Sequence, residues 1–291
     1  MTPESIRWYY SDGNICTTVE NKFGDKQIKP TVTHTRRMGL YPSVTSILKI
    51  SASYGLNQWI GENLVRWAAI TPSPFAGEGW DISDPWKLKS DMLEDMMEGF
   101  IQDVGDKANI MVEDAANTGK FLHGELADFI EHGVLPESNA GKRICDDFKR
   151  FLDKQHVSDI SCEKSFVSRE HGFAGTPDVV GSIGDGAKIL IDLKTTDLEK
   201  FRKPYDTWLL QLGAYSLGTS DIQDVHLWQA VADRNTGCTV FTKHERATEW
   251  TNAFGHLAEV FFVMKNYDPR KYYDTSTFID TSTIYAELES E

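Results

Sequence analysis

Three residues in the middle of the chain have the types and spacing to do chemistry. Asp178 follows a glycine-bearing turn, Gly172-Phe173-Ala174-Gly175-Thr176-Pro177, while Asp192 and Lys194 close an apolar run of strand length through Ile189, Leu190, Ile191 and Leu193. Alternate residues of a strand share a face, so Asp192 and Lys194 lie together on a strand apolar enough to be buried. An acid and an amine in such a place need a reason to be there. A hairpin turning through Gly184-Asp185-Gly186 would lay Asp178 beside Asp192 and gather two carboxylates and one ammonium at a point. Two free carboxylates in a small volume repel strongly. Mg²⁺ or Mn²⁺ would relieve the repulsion and leave positions open for water and a phosphate oxygen.

The elements that must hold these residues follow from pattern. A helix over 106–132, stopped by Gly133, carries Val112, Ala115, Gly119, Leu122, Leu126 and Phe129 as an apolar stripe, with His123 at its border. A histidine in that position is either a packed core residue or a ligand. Glu125, two residues on, points elsewhere. A helix starting near Asp206 sets Gln211 and Tyr215 four apart on one side. Between the two helices come a strand over 161–167 that includes Glu163, the turn and strand over 173–183, the strand over 187–195, and a hairpin over 225–242. A helix over 143–156 precedes them and one over 248–267 follows. The fold class is α/β, a mixed central sheet flanked by helices.

In their order, Gly175-Thr176-Pro177-Asp178, Asp192-Leu193-Lys194 and Gln211-Leu212-Gly213-Ala214-Tyr215 resemble the PD-(D/E)XK nuclease superfamily, specifically its RecB-like, phage-type exonuclease branch. Gly119-Lys120-Phe121-Leu122-His123 resembles the G-x-x-x-H element of the same branch. The chain also has acid-x-lysine at Glu20-Asn21-Lys22 and Asp147-Phe148-Lys149, without the turn or the apolar strand. The resemblance implies a restriction-endonuclease-like core. It implies that Asp178, Asp192, the backbone carbonyl of Leu193 and His123 hold metal, and that Lys194 orients or deprotonates the attacking water. Gln211 and Tyr215 would border the site, with a buried tyrosine beside an incidental glutamine as the alternative. Glu163 would match a further family acid, or be a strand-edge residue with no special role. The activity implied is hydrolysis of DNA by an exonuclease of recombination, repair or processing. A structure-specific endonuclease or a non-catalytic DNA-binding module is the alternative. DNA and a single-strand-annealing or other recombination protein are the expected partners.

The likeness spans about 108–245, so the organisation expected is an extension over 1–107, a nuclease core over 108–270 and an acidic tail over 271–291. The extension reads as mainly helical: a small hairpin over 6–19, a helix entered at Ser43, helices over 56–70 and 91–104, and a loop over 71–80 whose Phe75 and Trp80 either stack on a base or pack on the surface. Ser43 caps its helix. The S-V-T entry from Ser43 to Thr45 also resembles a stretch near the DNA path of the family, which makes both residues candidate DNA contacts.

Composition bounds the partners. With 30 Lys and Arg against 44 Asp and Glu, the net charge is −14, which opposes binding to a polyanion unless positive charge is concentrated locally. Lys200, Arg202 and Lys203, directly after the Asp192 strand, supply such a cluster and are candidate phosphate contacts. Four scattered cysteines with no C-x-x-C pair point to reduced thiols and to no iron–sulfur cluster. No stretch reads as a signal peptide or is apolar for long enough to span a bilayer, so a cytoplasmic protein with no membrane partner is expected.

Overall fold

The computed structural model describes residues 6–21, 26–50, 90–184, 186–218 and 225–272, with the backbone alone over most of 90–112. The helix expected over 56–70, the loop over 71–80 and the tail beyond 272 lie outside the described residues. The chain divides into one compact unit of Met1–Ser51 with Glu125–Glu291 and a second of Ala52–Gly124. The first fifty residues thus share a unit with the sheet rather than joining 52–107 in a separate extension. The cause is packing. Val44, Ile47 and Leu48 are buried in one cluster with Phe173, Leu190, Leu212 and Phe254.

In order, the described elements are β1 (Trp8–Tyr9), β2 (Ile15–Cys16), β3 (Val19–Glu20), β4 (Gln27–Ile28), α1 (Val32–Met38), β5 (Tyr41–Pro42), α2 (Val44–Leu48), α3 (Ser90–His132) and α4 (Asn139–Lys154). They continue with β6 (Val157–Cys162), β7 (Phe166–Ser168), β8 (Phe173–Gly175), β9 (Val179–Ile183), β10 (Ala187–Thr196), α5 (Asp206–Gly218), β11 (Val225–Asp233), β12 (Thr239–His244) and α6 (Ala247–Lys265). The amino-terminal hairpin forms from β1 and β2, and β5 joins it as a third strand. Among the described residues, 6–50 hold five two-residue strands and the two short helices α1 and α2.

The central sheet has five strands in the order β12-β11-β10-β9-β6. Only β10 and β11 run parallel, joined by α5 as a crossover, and the remaining pairs are antiparallel. Residues 187–196 are long enough and apolar enough to be buried on both faces, which suits a strand second from neither edge. On one face lie Leu190, Leu227, Leu212, Phe254 and Phe261, contributed by the sheet, α5 and α6. On the other, Phe151 of α4 stacks on Phe241 and meets Trp228 edge-on. Gly213 lets α5 approach α6 closely, since a Cβ there would lie 2.5 Å from the backbone carbon of Trp250.

Two expected elements differ. The strand expected over 161–167 is split: β6 ends at Cys162, and β7 pairs with β8 in a separate two-stranded sheet. Glu163 takes a left-handed backbone, φ 50°, which a strand does not tolerate. The helices expected over 91–104 and 106–132 are one continuous helix of 43 residues through Gly105; a single glycine weakens a helix without ending it. The last turns of α3 are tied down. Glu125 accepts from Ser138 N at 2.8 Å and Ser138 Oγ at 2.5 Å, which fixes the cap of α4, and Cys145 Sγ points at the Glu125 carbonyl oxygen from 3.9 Å. Glu131 Oε1 accepts from the amide of Cys162 at 2.8 Å.

Candidate metal and acid–lysine site

The β9–β10 hairpin sets the site. Its register pairs Ile183 with Ala187 and Val179 with Ile191, so one step further from the turn Asp178 faces Asp192. Gly184 and Gly186 turn it with φ of 47° and 104°, values open to glycine at little cost. The amide of Leu193 donates to Asp178 Oδ2 at 2.6 Å, which holds that carboxylate against the strand bearing Asp192. Glu163 N donates to the Asp178 carbonyl oxygen at 3.1 Å, extending the β6–β9 ladder by one step and bringing Glu163 beside Asp178.

Asp192 is 1% exposed. Lys194 Nζ reaches both of its oxygens, at 2.8 Å and 2.7 Å. Burial pushes the Asp192 carboxyl above its ordinary range, the Lys194 ammonium pulls it back, and the Asp178 carboxylate adds to the upward push. Sequence reading missed a further partner. Gln229, fully buried on β11 directly beside Asp192, donates from Nε2 to the Asp192 backbone oxygen at 2.7 Å and to Oδ2 at 2.8 Å.

Gln211 and Tyr215 meet as their spacing requires, with Gln211 Nε2 donating to the Tyr215 hydroxyl at 2.6 Å. Tyr215 is buried, and its phenol is held well above its ordinary pKa by burial first and then by the Asp192 and Asp178 carboxylates. It therefore keeps its proton beside the acids. Another missed contribution comes from the amino-terminal segment. Thr176 Oγ1, in the turn before Asp178, lies 3.1 Å from the Tyr9 hydroxyl and 2.8 Å from Ser165 Oγ. A lone tyrosine in a two-residue strand carries no sequence signal for that task.

Glu163 and Asp178 each offer one carboxylate oxygen, and these lie within 4.8 Å of one another; His123 is carried by α3 within the unit Ala52–Gly124. Two ligands opposite one another on an ion at about 2.1 Å stand about 4.2 Å apart, the scale of the Glu163–Asp178 separation. Carboxylate oxygens are donors that Mg²⁺ and Mn²⁺ accept, whereas an imidazole nitrogen suits transition-metal ions. The donor set fits a divalent cation.

The remaining candidates sit as follows. Ser43 is 2% exposed and its hydroxyl caps α2, accepting from Ser46 N at 3.0 Å and donating to Ser46 Oγ at 2.8 Å; Thr45 is exposed. Lys200, Arg202 and Lys203 are exposed in the loop between β10 and α5. Lys200 pairs with Asp197 at 2.8 Å and Arg202 donates to the Glu199 carbonyl oxygen at 2.6 Å. Among the described residues no helix is long and apolar enough to cross a membrane.

No protein family matches the chain, and no curated protein does. Among solved structures it is similar to one described as "Crystal structure of SSO0001", at 15% identity over 51% of this chain and 86% of that chain, with a TM-score of 0.28. A likeness of that strength carries no conclusion about fold or function.

Proposed function

We propose that this chain is a Mg²⁺- or Mn²⁺-dependent deoxyribonuclease on a restriction-endonuclease-like core, acting as an exonuclease in DNA recombination, repair or processing. The observation that carries the reading is the meeting of Asp178, Asp192 and Lys194 where the β9–β10 hairpin leaves its ladder, with Glu163 in ligand range of Asp178. Glu163 and Asp178 would hold the ion, with Asp192 and the carbonyl of Leu193 at its border. When bound, the ion supplies Lewis acidity and countercharge to a scissile phosphate. The chain's own residues do the rest. Leu193 N–H fixes Asp178, and Gln229 and Lys194 fix Asp192. Lys194 carries the positive charge that positions a water and offsets charge developing in the transition state. Tyr215, kept neutral and oriented by Gln211, presents a hydroxyl beside the acids.

The test is cleavage of end-labelled linear DNA mixed with a covalently closed circle. Wild type should consume the linear DNA with Mg²⁺ or Mn²⁺ and spare the circle, and Asp178→Ala and Asp192→Asn should each abolish cleavage while circular dichroism stays unchanged. Wild-type rates from either variant would remove the metal assignment. Nicking of the circle would move the reading to a structure-specific endonuclease.

A further inference from the structure

The loop from Asp197 to Tyr205 joins the strand of Asp192 to the helix of Gln211, and its Phe201 and Tyr205 cluster with Trp208 in the first turn of that helix. The rings of Phe201 and Trp208 stack at 5.9 Å and an interplanar angle of 13°, and Tyr205 meets Trp208 edge-on at 4.9 Å and 86°. Tyr205 nonetheless leaves 50% of its surface exposed. A single exposed ring is ordinary, but rings that touch one another at the surface make a contiguous apolar patch of the kind that marks a binding site. Lys200, Arg202 and Lys203 stand exposed in the same loop, with Lys200 paired to Asp197 at 2.8 Å and Arg202 and Lys203 directly before Pro204 and Tyr205.

The cluster is aligned with the acid site. Trp208, Gln211 and Tyr215 are three and seven residues apart, one stripe of α5, and the stripe spans about 10 Å of helix at 1.5 Å per residue. Along it, burial falls in one direction. Tyr215 is 4% exposed beside the acids, Gln211 and Trp208 are half-buried, and Tyr205, just before the first residue of α5, is half exposed. Aromatic faces flanked by cations suit a single-stranded nucleic acid, whose unpaired bases stack while its phosphates meet lysine and arginine.

Resting on the nuclease reading, we infer that Phe201, Tyr205 and Trp208, with Lys200, Arg202 and Lys203, form a stacking platform that takes the unpaired bases of a single DNA strand and leads it along α5 to the acids. Tyr205 is the base-contacting residue, and Trp208 and Phe201 brace it.

The experiment measures binding of a fluorescent single-stranded oligonucleotide, an abasic oligonucleotide of equal length and charge, and a duplex, to the full chain in EDTA. Wild type should prefer the base-bearing strand to the abasic one by about tenfold, the scale of one base stacked on an aromatic ring. Tyr205→Ala should abolish that preference without changing affinity for the abasic strand, and Tyr205→Phe should retain it. The Tyr205 carbonyl, not its ring, accepts from Trp208 N at 2.9 Å, so the helix start survives the substitution. Lys200→Ala combined with Lys203→Ala should weaken both strands equally and flatten the salt dependence. The inference is overturned if wild type shows no base preference, binds no single strand or binds the duplex more tightly, or if Tyr205→Ala keeps the preference. Metal-dependent cleavage with no base preference would sink the platform alone. A Tyr205-dependent preference without any cleavage would sink the nuclease reading alone.

Discussion

Gln229 donates twice to Asp192, from one amide nitrogen 2.7 Å from its backbone oxygen and 2.8 Å from Oδ2. Both partners are acceptors, so the nitrogen must face them. Among the described residues, the buried Gln229 Oε1 has no hydrogen-bond partner. A buried acceptor left unpaired is costly, and the gain on the other side is a carboxylate locked in one plane before any cation arrives. Gln229→Met keeps the volume and removes both donors. Mn²⁺ affinity, read by calorimetric titration, should fall by roughly 10- to 100-fold while the fold persists, the range found when a partner that orients a ligand is lost. Unchanged Mn²⁺ affinity would mean that Gln229 only fills space.

Lys194 shares a buried pair with Asp192, and removing one member of such a pair leaves an uncompensated charge at a cost of about 3–5 kcal/mol. Lys194→Ala should therefore melt at lower temperature in EDTA and recover part of the loss with Mn²⁺, which takes over the countercharge. Its kcat should drop on the order of 10²-fold with DNA affinity little changed. Full rate at high Mg²⁺ would show that the lysine shapes the metal site and has no part in the chemistry.

Asp233 closes β11, and its carboxylate is surrounded by donors: Oδ1 accepts from Asn235 N, Thr236 N and Thr236 Oγ1, and Oδ2 from Leu198 N. Burial pushes its pKa up, but the donors from Thr236, Leu198 and Asn235 together hold it below 3.8. A carboxyl depressed in the folded state adds stability above its unfolded pKa and loses it as pH falls through the folded one. Urea unfolding should thus show wild type exceeding Asp233→Asn by about 2 kcal/mol near pH 7, with the gap closing below pH 3.8. A gap independent of pH would remove the ionised carboxylate from the account.

Gly213→Ala places a methyl group 2.5 Å from the Trp250 backbone, where no flexible side chain can yield. Separation of α5 from α6 should cost about 1–3 kcal/mol in thermal unfolding. A variant as stable as wild type would show that the two helices have slack.

The hairpin register, the pairing of Gln211 with Tyr215 and the face shared by Asp192 and Lys194 were legible because each follows from a local period: two for strands, four for helices, and a glycine turn to set the phase. Gln229 was not. One amide within Val225-His226-Leu227-Trp228-Gln229-Ala230-Val231 signals that a buried polar group needs a partner, but only the parallel ladder with β10 says which. The position of Glu163 beside Asp178 was not legible either. The sequence suggested a strand, whereas a left-handed residue after β6 puts it there. Tyr9 was out of reach altogether, since its bond to Thr176 joins positions far apart in the chain and no short-range pattern encodes that separation.

The two thiols flanking the last turns of α3 give the protein a built-in gauge of its own opening. Burial raises the Cys145 and Cys162 thiols to about 12, so both stay protonated at neutral pH. Alkylation must then await a fluctuation that frees the Glu125 carbonyl from Cys145 or the Glu131 carboxylate from the Cys162 amide. Exposed Cys238 reacts first and is counted off by mass. The slower labels that follow on Cys145 and Cys162, told apart from that on buried Cys16 by peptide mapping, clock how often the last turns of α3 loosen their grip on α4 and β6.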